Sequence, residues 1–179
     1  MNTGLISSRY ANSLLQYAVS LGQQEEVYEN IKLLSEMFMK MPQLRSAIMN
    51  PSISAQDKKK LLVTASGGSV PSSLSKMIDL ILTNERIEAM QYIALRFIDI
   101  YRDEFNIQRG KLTTAVAIDP ETEQRLLTRI KEMVNSEVEM ESVVDPGIIG
   151  GFVLNMGDFR WDASISGELT RIRDQFLKR

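Results

Sequence analysis

Apolar positions repeat at helical spacing up to about Asn106 and at strand spacing soon after it. Ile6, Tyr10, Leu14, Tyr17 and Leu21 fall in steps of three and four, as do Val27, Ile31, Leu34, Phe38 and Met41. Each set makes one face of an amphipathic helix. Pro42 suits the start of a third, short helix, which Asn50-Pro51 should stop, because the residue before a proline is pushed out of the helical region. Ser54 then reads as an N-cap with Asp57 three residues on, and Leu61, Leu62 and Ala65 are expected to face inward. Gly67-Gly68-Ser69 ends that helix and Pro71 opens the next, which is apolar on nearly every side from Leu74 to Leu82 and so should lie at the centre of a bundle. A last helix, from about Glu85 to Phe105, carries Met90, Ile93, Phe97, Tyr101 and Phe105 on one side.

Beyond Asn106 the period falls to two. Leu112, Thr114, Val116 and Ile118 alternate as in a strand, and Asp119-Pro120 combines an N-cap with a proline at the first helical position. Leu126, Leu127, Ile130 and Val134 line that helix, and Val138, Met140, Ser142 and Val144 read as a second strand. A strand-helix-strand unit of this length favours a right-handed crossover. Next come a turn at Pro146-Gly147, a strand from Ile149 to Met156, a two-residue hairpin at Gly157-Asp158 and a returning strand from Phe159 to Ala163. Ser164 or Ser166 caps a final helix striped by Ile165, Leu169, Ile172 and Phe176, with Arg173, Lys178 and Arg179 suited to its negative end. The expected architecture is therefore an all-α six-helix N-terminal bundle over residues 1–105, followed by a small α+β domain over 106–179. A joint at 105–110 could leave their relative orientation variable.

Composition narrows what such a chain can do. There is no cysteine and no histidine among its 179 residues, which removes disulfides, thiolate chemistry, imidazole metal ligands and the commonest general base at neutral pH. A net charge of -2 provides no field that would attract a polyanion. No apolar run is long enough to span a bilayer, and the N-terminus lacks the pattern of a secretion or organelle signal.

The candidate chemistry has plainer readings beside it. Gly147-Ile148-Ile149-Gly150-Gly151 looks like a phosphate loop but leads into the strand Phe152-Val153-Leu154 and not into a helix N-terminus. Close backbone approach or a bulge explains Gly150 and Gly151 better. Asp145, Asp158 and Asp162 could hold a hard cation, yet each stands where a turn or strand edge favours aspartate. Lys58-Lys59-Lys60 reads as a solvated helix face. Phe152 and Trp161 could form an RNA-stacking platform, but from residue 107 on the chain has 10 Lys and Arg against 12 Asp and Glu. An RNA-binding or scaffold α+β module, or a carboxylate-metal enzyme, is the rival reading that these residues leave open.

The run from Val144 to Val153, with Gly157-Asp158 and Trp161-Asp162-Ala163-Ser164 after it, closely resembles the C-terminal signature of the delta-subunit family of bacterial ATP synthase. The mitochondrial relative in that family is the oligomycin-sensitivity-conferring protein. Arg9-Tyr10-Ala11-Asn12-Ser13-Leu14-Leu15 with Tyr17-Ala18 looks like the family's opening helix, and Asn84-Glu85-Arg86 resembles its turn before the sixth helix.

This resemblance implies a non-catalytic stator link without a cofactor, joining the catalytic head to the peripheral stalk so that the head does not turn with the rotor. It implies that the helical domain binds N-terminal segments of the alpha subunits in a groove between helices one and five. On this chain that groove maps to Tyr10, Ser13, Leu14 and Tyr17 with Met77, Ile78 and Ile81. It further implies that the C-terminal domain meets the b subunits, shaped by Asp145, Pro146, Gly147, Gly150, Gly151, Gly157, Asp158 and Asp162. The expected location is the cytoplasmic side of a bacterial inner membrane.

Overall fold

A computed structural model describes residues 3–134 and 136–177 and divides the chain into two compact units, Met1–Asp103 and Glu104–Arg179. The chain is mostly helical, and its second unit holds a four-stranded mixed sheet.

The first unit contains α1 (Thr3–Ser20), α2 (Gln24–Lys40), α3 (Pro42–Met49), α4 (Ala55–Ala65), α5 (Ser72–Thr83) and α6 (Met90–Glu104), with a short 3-10 turn, Ile87–Ala89, before α6. Its centre is made by Leu14, Ile31, Leu34, Ile48, Leu62, Leu74, Ile78, Ile81, Met90, Ile93 and Phe97, all essentially without solvent contact. Each such side chain contributes about 1.5–3 kcal/mol of transfer free energy, offset by the entropy of ordering the helices. Tyr28 of α2 stacks on Tyr101 of α6 at 4.0 Å between ring centroids.

Two polar side chains fix how the helices meet. Asn30 donates to the carbonyls of Ser66 and Ser69, at 2.7 and 3.1 Å, which ties α2 to the glycine turn after α4. Gln23, from the turn between α1 and α2, accepts from the Ser73 backbone N–H at 3.2 Å and from its hydroxyl at 2.8 Å. It thus caps α5 from 50 residues away. Pro71 accordingly stands just outside the helix, one residue earlier than expected, and contributes no side-chain cap of its own. Ser54 caps α4 as expected, accepting from the Asp57 N–H at 3.1 Å.

Five apolar residues expected inside lie outside. Leu21 follows the end of α1, in the turn closed by the Gln23 N–H on the Ala18 carbonyl, so it leaves the helical stripe. Met41 and Leu61 are exposed because they line an open trough of about 910 Å³ between the end of α2, α3 and α4, together with Met37, Leu44 and Ile53. Leu80 makes α5 one-sided: Leu74, Met77, Ile78 and Ile81 are buried, whereas Leu80 is 49% exposed. Helix α6 begins at Met90 and not near Glu85, since Glu85 adopts φ 55° and a 3-10 turn intervenes. Phe105 falls just past the end of α6 and is likewise exposed.

The second unit is a sheet with strand order β2-β1-β3-β4. Its elements are β1 (Ile107–Thr114), α7 (Pro120–Val134), β2 (Glu137–Val144), β3 (Phe152–Met156), β4 (Phe159–Asp162) and α8 (Ile165–Leu177). Strands β1 and β2 run parallel across α7, while β1–β3 and β3–β4 are antiparallel. Asp119 caps α7, its carboxylate accepting from the Thr122 N–H at 2.9 Å. Ile130 of α7, Val138 of β2 and Leu154 and Met156 of β3 form the core, with Met140 and Phe152 packed against it. Val134, expected on the same stripe, has a side chain outside the described residues, as do Lys178 and Arg179.

Strand β1 lies five residues earlier than its period suggested. It takes in 107–110, which were expected to be a joint, and ends at Thr114, before Val116 and Ile118. Gln108 and Arg109 hide the alternation at its start, although Gly110, Leu112 and Thr114 all face the core. At its end, the Thr114 hydroxyl donates to the Val116 carbonyl at 2.8 Å and the Thr114 carbonyl accepts from the Asp145 N–H at 2.8 Å. The chain therefore turns out of the sheet, and Val116 is exposed.

Candidate partner-binding surfaces

Helices α1 and α5 pack against each other, and the residues expected to form a groove separate into two groups. Leu14, Ile78 and Ile81 are 1%, 0% and 0% exposed, and Met77 is buried beside them, so they form the seam that holds the helices together. Tyr10, Ser13 and Tyr17 lie at its accessible edge. Each tyrosine is tethered across the seam: Tyr10 Oη accepts from Asn84 Nδ2 at 2.9 Å, and Tyr17 Oη accepts from Lys76 Nζ at 2.7 Å. The Lys76 ammonium also stands 5.4 Å from the Tyr17 ring centroid. Lys76, Leu80 and Asn84 are four residues apart and share one face of α5, so Leu80 sits between the two tethered pairs. Leu80 was missed in sequence because it is an apolar residue on the face of α5 that also carries Lys76 and Asp79, within a run read as apolar nearly all round. Its place on the seam follows only from the two cross-helix bonds.

In the second unit, the glycine-rich run is a clamp between the loop after β2 and the start of α8. Residues Pro146–Ile148 form a 3-10 turn, with the Asp145 carboxylate accepting from the Gly147 N–H at 2.8 Å. Ile149 follows at φ 67° and ψ -43°, and the Gly150 N–H reaches back to the Ile148 carbonyl at 2.8 Å, closing a strained γ-turn. The strand expected from Ile149 therefore begins only at Phe152. Gly150 and Gly151 allow the close approach expected of them. A Cβ at Gly150 would stand 2.6 Å from Ile165 Cδ1, and one at Gly151, where φ is +75°, would stand 2.1 Å from the Ala163 carbonyl oxygen. The Ile165 N–H donates to the Gly150 carbonyl at 3.0 Å, which completes the clamp.

Ser164, and not Ser166, caps α8, its hydroxyl accepting from the Gly167 N–H at 3.0 Å. Asp162 holds that cap in place by accepting from the Ser164 hydroxyl and from its backbone N–H at 3.1 Å. These bonds, the Ser164 hydroxyl first, keep the Asp162 carboxyl below the usual carboxylate range, with Arg160 adding to the effect. Because the folded-state pKa is depressed, this stabilisation is complete above the unfolded value of about 3.9 and is lost as pH falls through the lower folded value. Asp162→Asn should therefore lower stability at pH 6, with the difference from wild type shrinking below about pH 4. Thermal melts of both proteins from pH 6 down to pH 2 check it, and a constant difference would contradict it.

Gly157-Asp158 forms the hairpin turn, with Gly157 at φ 53° and Met156 paired to Phe159. Asp145, Asp158 and Asp162 stay in turn and strand-edge roles, and among the described residues no group of three or more acidic side chains is placed to hold a metal ion. Phe152 and Trp161 meet edge to face at 5.5 Å, which is packing geometry and not a pair of parallel stacking platforms.

Helix α8 is the second open surface. Ile165, Leu169, Ile172 and Phe176 fall in steps of four, three and four along one side, and every one is exposed, Phe176 by 75%. An isolated helix of about this length is marginal in water, so an uncovered apolar stripe calls for something to pack on it. No helix among the described residues is long and apolar enough to cross a membrane.

Both surfaces are open to helix-to-helix contact. The family described as ATP synthase delta (OSCP) subunit matches residues 6–176. The ATP synthase subunit delta of Bacteroides thetaiotaomicron is 38% identical over 99% of this chain and 96% of its own length. That of Parabacteroides distasonis is 37% identical over 99% of both. A chain in the cryo-EM structure of the Toxoplasma gondii mitochondrial ATP synthase hexamer has the same fold, with a TM-score of 0.63 at 19% identity over 96% of this chain and 97% of that one. The chain belongs to the ATP synthase delta (OSCP) subunit family.

Proposed function

We propose that the two open helical faces are the two ends of one mechanical link. Family membership makes the chain a non-catalytic stator connector of ATP synthase, peripheral to the membrane, and disfavours the RNA-binding and metal-enzyme readings. The first unit, read as a six-helix bundle over 1–105, receives an N-terminal helix of an alpha subunit on the α1–α5 face. The second unit, 106–179, receives the b subunits of the stalk along α8, on the cytoplasmic side of a bacterial inner membrane. What supports this division is that each unit leaves an apolar helical edge uncovered: Leu80 beside Tyr10, Ser13 and Tyr17 in one, Ile165 to Phe176 in the other.

A docked helix would touch Tyr10, Ser13, Tyr17 and Leu80, while Leu14, Met77, Ile78 and Ile81 would support it from beneath. Apolar burial with anchors at helical spacing is the ordinary basis of such docking. One groove alone buries too little to outweigh the entropy of association by a wide margin, so several tethered contacts should share the load.

Two full-length variants separate the ends. Leu80→Asp should weaken capture of the catalytic head at least tenfold while leaving b-subunit capture intact, and Leu169→Asp should do the reverse. Affinity measurements with purified head and purified b subunit read both. Loss of both partners by either variant, in a protein that still melts at the wild-type temperature, would contradict the division of labour.

A further inference from the structure

The α1–α5 face also carries chemistry that specifies its occupant, an inference that rests on the docking role given to this face above. Helix α1 contains one charged residue, Arg9, and no carboxylate between Thr3 and Ser20. On α5, Asp79 is engaged by Lys59 at 2.7 Å, whereas Lys76 has no carboxylate partner among the described residues and rests on a neutral phenol. Tyr17 Oη accepts from Lys76 and Tyr10 Oη accepts from Asn84, so each phenol still has its own proton to donate. Neither proton has an acceptor among the described residues. Asp79, three residues from Lys76, is taken up by Lys59, and Glu85 and Glu88 follow the Asn84 end, so Lys76 keeps no carboxylate partner among the described residues.

We infer that Lys76 and Tyr17 together form a carboxylate-receiving corner, and that the segment docking on this face is an amphipathic helix with an acidic side chain placed to meet it. The ammonium and the phenol O–H converge on one oxygen pair, which gives a charge-assisted contact of defined direction. Leu80, one turn along from Lys76, lies beside the apolar stripe of the same helix. An acidic residue on one edge of the docking helix's own apolar face then sets the direction in which that helix lies, because only one polarity brings it to Lys76 and not to Asn84. Apolar contact provides the affinity, and this corner fixes the orientation.

The test uses the full chain and a synthetic peptide of the alpha subunit's N-terminal segment, with each acidic residue of the peptide changed singly to glutamine. Lys76→Gln should weaken binding about three- to tenfold at low ionic strength, and the loss should shrink in high salt. Lys76→Arg should restore most of it. Tyr17→Phe should weaken binding to a lesser degree. At one acidic position of the peptide, the glutamine change and Lys76→Gln should together cost no more than either alone, which identifies the contacting carboxylate. Equal affinity for wild type and Lys76→Gln, with every acidic change additive, would overturn the carboxylate corner and leave docking on this face standing. Absence of binding to the wild type would remove both.

Discussion

Gly151→Ala should destabilise the second unit by about 3 kcal/mol or more, the largest effect expected from adding a single methyl group to this chain. Two costs add. An alanine must adopt φ +75°, a left-handed conformation that costs an L-residue about 1–2 kcal/mol. Its Cβ would also meet the Ala163 carbonyl oxygen at 2.1 Å, and that oxygen belongs to backbone held by the Ala163 N–H on the Phe152 carbonyl. It cannot swing away as a side chain would, so the clamp between the 145–151 loop and α8 must open. Gly157→Ala is the control. Gly157 also has positive φ but nothing within 4 Å of its would-be Cβ, so it should cost only about 1 kcal/mol. Trp161 is the only tryptophan and lies in β4, so its fluorescence during urea unfolding follows this unit. Equal midpoints for the two variants would contradict the close approach.

Ile78→Asp should unfold the first unit. Ile78 has no solvent exposure and sits on the α1–α5 seam, where an aspartate would have to be buried without a partner, at a cost of several kcal/mol. Far-UV circular dichroism should lose much of its helical amplitude at temperatures where Trp161 still reports a folded second unit. The consequence for function is practical: a loss of head binding in this variant reports unfolding and says nothing about a groove. Leu80→Asp, on the exposed side of the same helix, should shift stability by only about 0.5 kcal/mol and is the variant that reads docking. A folded Ile78→Asp protein would show that the seam is looser than its burial indicates.

Much of this was legible in the chain, and the parts that were not share a cause. Helical stripes such as Val27, Ile31, Leu34 and Phe38 were readable because a one-sided helix writes its period into local sequence. The caps at Ser54 and Asp119, and the Gly157-Asp158 hairpin, are equally local. Gln23 capping α5, and Leu80 standing between two tyrosine tethers, depend on residues some 50 or more positions apart and leave no periodic trace. Strand β1 was displaced in the reading because Gln108 and Arg109 face solvent at a strand start whose core position is Gly110, a residue with no side chain to mark it. The groove residues illustrate the same limit: the pattern shows that Leu14, Ile78 and Ile81 face a neighbour, but only packing shows that the neighbour is the other helix of the pair.

The glycines and aspartates of the 145–167 region were expected to serve turns and close backbone approach, with phosphate or metal chemistry as the lesser reading. In the folded chain they perform backbone work, with Asp145 and Asp162 satisfying amides and Gly150 and Gly151 admitting α8. Helix α8 emerges from this clamp with its stripe uncovered, which is how a motif without reactive groups can still serve assembly.

The central claim is that this one chain joins two bodies that do not otherwise hold each other. Purified catalytic head, prepared without this subunit, and purified b subunits should therefore be mixed with and without the full-length chain and separated by size. The account predicts that head and b co-elute only when the chain is present, and that Leu80→Asp and Leu169→Asp each break the bridge while leaving a different binary complex. Co-elution of head and b in its absence, or a chain that binds only one of them, would contradict it.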